Sequence, residues 1–365
     1  MAPGSLPALL LLALSSTAVA HAAPPAPYPA ELARLDGYAR GLADAGLFSG
    51  VVLIARDGEL LSERAYGLRD ENGDAPLAAG DRFNLASAGK MFTSVAILQQ
   101  VAAGRLGLDT PVGEVLADYP NAVFARDVTV RHLLTHTGGA GDIDELFGAG
   151  NADRRARLRT LADMVALHGE RPPAFPPGTR QAYGNYGYIV LGRMVEVLSG
   201  EDFEHYLRAH VFEPAGMAST GFVDCTDPAP DIAAGYVDVD GKRVRNCATL
   251  PARGMAAGGQ VSTARDMLRF VQALQSGQLL PKALLEQATA TQREFMGLGF
   301  FATDYGPDHP ARDFRWGHGG SADGICTDVR TYPRTGETLV VLSNRDAPAC
   351  YGVARFLHAN WPGPD

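Results

Sequence analysis

Lysine is scarce in this chain of 365 residues, where only Lys90, Lys242 and Lys282 occur. No run of basic residues makes up for them, and the formal charge is -9. The electrostatic footprint required by a nucleic-acid backbone is therefore missing. Low-complexity tracts are absent, and 46% of residues are hydrophobic against 20% charged, which excludes an intrinsically disordered chain. The 24 prolines and 42 glycines follow no collagen period, and four cysteines are too few for a disulfide-dense miniprotein. No apolar run approaches the roughly 20 residues that span a bilayer, so no membrane span is expected. What remains is a chain able to bury a large core, as one large α/β unit or as about two lobes.

Charge is also absent from the first thirty side chains, apart from what His21 can acquire. Ala8 to Leu14 form a short apolar block followed by Ser15, Ser16 and Thr17. Ala18-Val19-Ala20 and Ala20-His21-Ala22 then have the small-x-small form of a signal-peptidase site. A signal peptide over residues 1–23 is expected, with residues 24–365 exported to the periplasm or the medium. An even number of cysteines in an exported chain permits two disulfides in three connectivities. Cys225 with Cys247, around the Asp240-Gly241 turn, and Cys326 with Cys350, tying a strand to the last helix, is the favoured pairing.

Leu32, Leu35, Tyr38 and Leu42 recur at helical spacing. Gly50 to Arg56 and Leu60 to Gly67 read as strands around Asp57-Gly58, a hairpin signal because both residues tolerate positive φ. From Ser87 to Gly104 the chain is apolar almost all round, the mark of an interior helix. Helical patterns follow at Val130 to Leu134, Arg155 to His168, Tyr186 to Ser199 and Phe203 to Val211, with a small hairpin over Val237 to Val244. Beyond Gly258-Gly259, Thr263 and Asp266 open a helix through Leu274. Strands return at Phe314 to Gly317, Gly324 to Tyr332 and Thr338 to Ser343, before a last helix over Pro348 to His358. Strands at both ends with helices between them predict an α/β (α+β) fold. Its antiparallel sheet is formed by the N- and C-terminal parts (about 24–83 and 256–365) and flanked by terminal helices, with an inserted, mainly helical lobe (about 84–255).

Three segments carry groups suited to chemistry. In Ser87-Ala88-Gly89-Lys90, positions i and i+3 face the same way, so hydroxyl and amine come within reach of each other. Free N–H groups at the helix start favour an anionic oxygen at Ser87. A lysine serves as base only if its pKa falls towards neutrality, and burial in an apolar helix supplies that push. The plainer alternative, an N-cap serine and a solvated lysine, puts a cation against the helix dipole and is disfavoured. In Tyr183-Gly184-Asn185, a phenol of depressed pKa can relay a proton, and the amide can hold both a lysine and a substrate carbonyl, although Asn185 as an N-cap is the commoner use. In His318-Gly319-Gly320-Ser321, paired glycines let a substrate approach the strand, and the Ser321 N–H can join that of Ser87 as an oxyanion hole. A glycine-rich turn with a structural histidine is the alternative there.

In their order and spacing these segments resemble the serine β-lactamase and penicillin-binding-protein-like hydrolases. The likeness is greatest to the class C β-lactamase branch, which includes D-alanyl-D-alanine carboxypeptidases, D-aminopeptidases and esterases. FNLASAGKMFTSVAI, GRLGLDTPVGEVLADYP, VTVRHLLTHTGG, YGNYGYIVLGRMVEVLSG, VFEPAGM, GGQVSTARDMLRF and WGHGGSADG extend the resemblance over essentially the whole mature chain. It implies Ser87 as the acylated nucleophile, Lys90 as its base partner and Tyr183 as the group serving acylation and deacylation. It further implies Asn185 as binder of the substrate carbonyl and His318, Gly319 and Gly320, followed by Ser321, as the substrate-binding strand. The implied enzyme is an exported hydrolase of ester, amide or lactam bonds, esterase-like or D-Ala-peptidase-like, with no cofactor or metal. It would act as a monomer on a small molecule or short peptide.

One departure bears on substrate. Many β-lactamases of this type have Lys-Thr-Gly where this chain has His318-Gly319-Gly320, so a permanent cation and a hydroxyl are missing. An ordinary imidazole is expected to gain a proton as pH falls towards 5.5 and only then to favour carboxylate-bearing substrates. Efficient β-lactam hydrolysis is accordingly not expected, with a true β-lactamase as one alternative and a non-catalytic cell-wall peptide binder as another. His132-Leu133-Leu134-Thr135-His136 has the two histidines of a zinc protease motif but Leu133 in place of its Glu, so structural histidines are expected. Asp238-Val239-Asp240-Gly241 reads as a hairpin turn rather than a calcium loop, and Gly138-Gly139-Ala140-Gly141 as a flexible loop without a P-loop lysine. There is no Gly-x-Ser-x-Gly elbow.

Overall fold

The computed structural model describes residues 1, 28–143, 146–304 and 314–360. The expected signal segment lies outside them, apart from Met1. Asp57 and Gly58, at φ of 50° and 81°, reverse the chain between strand β1 (Gly50–Arg56) and strand β2 (Glu59–Tyr66). Four further strands come from the other end of the chain: β3 (Phe301–Thr303), β4 (Arg315–Ala322), β5 (Ile325–Tyr332) and β6 (Glu337–Ser343). Together they form a six-stranded sheet in the order β2-β1-β6-β5-β4-β3. Its centre joins the two ends of the sequence, with β1 antiparallel to β6 from Gly50↔Ser343 to Arg56↔Glu337.

Both faces of this sheet are covered, which is why β1 and β6 read as continuous apolar runs rather than alternating ones. Val52, Ile54, Leu339 and Val341 pack under the terminal helices α1 (Pro29–Asp44) and α5 (Ala349–Asn360), against Leu35, Ala39, Val353 and Leu357. Val51, Leu53, Val340 and Leu342 face the main core, shared with helices α2 (Lys90–Ala102), α3 (Tyr186–Ser199) and α4 (Ala264–Gln275). Thr263 caps α4 by accepting the Asp266 N–H. Helix α2 is buried nearly all round, and Phe92 meets Phe212 and Phe270 edge-on, with centroids 5.0 and 4.9 Å away.

Three expectations need correction. The helix expected to begin at Ser87 starts as a 3₁₀ turn, Ala86–Gly89, and becomes α-helical only at Lys90. The helix expected over Arg155 to His168 is two, Ala152–Arg157 and Leu161–His168. The second opens with its own capping box, in which Thr160 accepts the Asp163 N–H and the Asp163 carboxylate accepts that of Thr160. Strand β4 continues to Ala322, so His318 to Ser321 lie inside a strand and not at its end. Both disulfides are as expected, Cys225–Cys247 and Cys326–Cys350. No helix among the described residues is long and apolar enough to cross a membrane.

Candidate active site

The turn that carries Ser87 is held from both sides. Ala86 sits at φ 44°, a conformation supported by Asn84 Oδ1, which accepts its N–H at 2.8 Å, and by the Gly259 N–H, which donates to Ala86 O at 3.0 Å. A 3₁₀ turn eclipses side chains three apart, and Lys90 Nζ lies 3.1 Å from Ser87 Oγ. The edge of the sheet comes close because Gly320 has no side chain. A Cβ there would stand 2.2 Å from Leu85 O and 3.0 Å from Ser87 N. The Ser321 amide is the next along that strand.

Lys90 is fully buried. Its Nζ contacts Asn185 Oδ1 at 2.6 Å, Ala257 O at 2.7 Å and Ser87 Oγ at 3.1 Å. Burial pushes its pKa down to about 7, with the Asp142 carboxylate pulling the other way. A neutral amine has two hydrogens and one lone pair. The amide and carbonyl oxygens can only accept, so they take the hydrogens and leave the lone pair for the Ser87 hydroxyl. The Asn185 amide is oriented for this by Asp142, whose Oδ1 accepts from Asn185 Nδ2 at 2.7 Å. Asn185 stands at the N-cap of α3 without capping it through its side chain, so the commoner use does not apply. Asp142 escaped the sequence reading. Its signal was an acid directly after the glycine-rich run, which is no idle loop but the arm that delivers this carboxylate.

Tyr183 lies beside the same nitrogen, its ring centroid 5.0 Å from Nζ, and packs on His136 at 4.1 Å between ring centroids. The expected depression of its pKa is not found. Desolvation of its hydroxyl end pushes the phenol up, against an interaction with the Ser87 side chain that lowers it. Tyr183 therefore stays protonated at neutral pH and can donate to, or relay from, Ser87 and Lys90.

His318 also departs from expectation. It is fully buried, stacks on Phe301 with centroids 4.0 Å apart, and hydrogen-bonds Gly319 O through Nδ1. Burial, with Lys90 nearby, lowers its pKa to about 3. The imidazole is thus neutral from pH 5.5 to 8 and does not become a cation for a substrate carboxylate. His132 and His136 serve the fold. His132 Nδ1 accepts the Thr129 N–H at the start of helix Val130–Leu134, while His136 O accepts the Ala182 N–H just before Tyr183.

Beside Ser87 opens a cleft of about 310 Å³, walled by apolar residues such as Phe147, Leu250 and Met255, and reached by Ser87, Asn185 and Ser321. A buried lysine between a serine hydroxyl and two fixed acceptors, at the edge of an antiparallel sheet, is the arrangement of a serine hydrolase.

The sequence profile of the beta-lactamase family matches residues 35–359, and the chain belongs to that family. It is 31% identical over 258 residues to Putative penicillin-binding protein PbpX of Bacillus subtilis (strain 168), covering 70% of this chain and 62% of that one. It is 30% identical over 303 residues to Esterase EstB of Burkholderia gladioli, covering 73% and 75%. Among solved structures, the penicillin binding protein from Bacillus halodurans superposes with a TM-score of 0.78 at 30% identity, covering 88% of this chain and 99% of that chain.

Proposed function

We propose that this protein is an exported serine hydrolase that works through an acyl-serine on ester or amide bonds, with Ser87 as nucleophile. The observation that carries this reading is Lys90, fully buried, with Nζ 3.1 Å from Ser87 Oγ and held by two fixed acceptors, Asn185 Oδ1 and Ala257 O. Neutral Lys90 takes the Ser87 proton as Oγ attacks the substrate carbonyl. The N–H groups of Ser87 and Ser321 hold the tetrahedral oxyanion, and Asn185 orients the substrate carbonyl side. As that intermediate collapses, the leaving alkoxide or amine takes a proton from the Lys90 and Tyr183 pair. The same pair then removes a proton from water, which attacks the acyl-serine and releases the acid.

Ester or uncharged amide substrates are favoured over β-lactams by the state of the positive charges. His318 is neutral, and Arg253, the basic residue lining the cleft, is engaged by both carboxylate oxygens of Glu204. The similarity to Esterase EstB points the same way. Export is supported by the two disulfides and the apolar leader. A panel of p-nitrophenyl esters, D-alanyl peptides and nitrocefin tests the reading, together with mass spectrometry of the fluorophosphonate-treated protein. Ester turnover and a single adduct on Ser87 are expected. A protein that takes no adduct and turns over nothing overturns the assignment.

A further inference from the structure

The cleft beside Ser87 holds two charged side chains among its lining residues, Arg253 and Asp323. They differ in what they have left to offer. Arg253 gives Nε and one terminal nitrogen to the two oxygens of Glu204. Asp323 has no basic partner among the described residues. Its Oδ2 accepts the Thr249 hydroxyl at 2.6 Å, and its main-chain oxygen accepts from Asn246 Nδ2 at 2.8 Å. Both anchors flank Cys247, whose disulfide to Cys225 fixes that segment. The carboxylate is therefore held in place, with one oxygen left for a ligand, in a cleft whose other walls are mostly apolar.

We propose that Asp323 is a specificity residue that selects substrates whose acyl group is apolar and ends in a cation, such as a quaternary ammonium. The inference rests on the acyl-serine reading above. The position of Asp323 sets where the charge must be. Gly320 packs against the Ser87 amide, the strand runs two residues further to Ala322, about 7 Å at the usual rise per residue, and Asp323 stands just beyond it in the turn to β5. The cation thus sits several bonds from the scissile carbonyl, not on the carbon next to it. The apolar wall takes the methylene chain between them, and the overall charge of -9 favours the approach of a cation at low salt.

The test uses two p-nitrophenyl esters of equal shape, 6-(trimethylammonio)hexanoate and its uncharged analogue 7,7-dimethyloctanoate. The wild-type protein is expected to prefer the cationic ester in kcat/KM by on the order of tenfold, the scale of a contact to a charged group. Asp323→Asn should abolish that preference and leave turnover of the uncharged ester near that of wild type. Equal kcat/KM for the two esters in wild type, or a preference that survives in Asp323→Asn, overturns the proposal. Calorimetry with 6-(trimethylammonio)hexanamide separates this outcome from failure of the hydrolase reading. If neither ester is hydrolysed but the amide binds wild type and not Asp323→Asn, the cation site stands and the acyl-serine reading falls. Absence of binding together with absence of hydrolysis removes both.

Discussion

Asn185 joins two charged groups through one amide, its Oδ1 2.6 Å from Lys90 Nζ and its Nδ2 2.7 Å from Asp142 Oδ1. Asp142 therefore acts on Lys90 twice, through the orientation of that amide and through its own charge, which raises the lysine pKa. Asp142→Asn should move the acid limb of kcat/KM to lower pH and reduce kcat by roughly tenfold or more through misorientation. The profile is to be recorded with an uncharged ester. An unmoved limb would show that Asp142 is not coupled to Lys90.

In the wild type that limb should lie near pH 7, where the buried Lys90 loses its proton. His136 and His318 are both held below their ordinary range and do not titrate there. Stability carries the same signature. The folded value of about 7 lies below the 10.5 of an exposed lysine, so the unfolded chain binds more protons between the two. Stability from this residue is complete above 10.5 and is lost as pH falls through about 7. Lys90→Met should flatten that part of the urea-unfolding free energy, measured as wild type minus variant, and abolish turnover.

Ser87→Ala should fold with an unchanged melting temperature and show no turnover, since the hydroxyl is the proposed attacking atom and its loss removes little packing. Gly320→Ala should behave differently. Its methyl would meet Leu85 O at 2.2 Å, forcing the strand away from the nucleophile turn. Activity should fall by about a hundredfold and stability by roughly 1–3 kcal/mol, the cost of overpacking. Thermal melts beside ester kinetics separate the two cases, and a Gly320→Ala enzyme of full activity would rule out close approach at this strand.

Because His318 is buried and neutral, the kcat/KM ratio of an anionic to an uncharged substrate should stay flat from pH 5.5 to 8. His318→Lys should not create a carboxylate site. It would bury a second ammonium near Lys90 with Phe301 against it, and removing compensation from a buried charge costs roughly 3–5 kcal/mol. A ratio that climbs as pH falls, or a His318→Lys protein as stable as wild type, would contradict the burial of this residue.

The sheet and most helices were legible because they depend on local signals. Asp57-Gly58 marked a hairpin, Thr263 with Asp266 a helix start, and the apolar circumference of α2 an interior position. Ser87 and Lys90 were legible as a pair because their spacing is local too. The state of Tyr183 and His318 was not, since a pKa depends on the residues that enclose the group, and those come from elsewhere in the chain. Phe301 over His318 and Asp142 behind Asn185 are contacts across the tertiary structure with no trace in either motif. The break after Arg157 was visible in Thr160 and Asp163 but hidden by the apolar periodicity that runs across it.

The pairing of β1 with β6 also sets an order in time. Ser87 and Lys90 are made in the first third of synthesis and the groups that hold them, Asn185, Ala257 and Gly259, later, but the strand that passes the Ser87 amide and the partner that completes β1 come later still. A growing chain thus carries Ser87, the proposed nucleophile, for most of translation with no strand edge to lay a substrate against. On the proposed mechanism, hydrolytic competence is expected only when the C-terminal strands close over the first hairpin, and a chain cut short before Ser343 is expected to be inert.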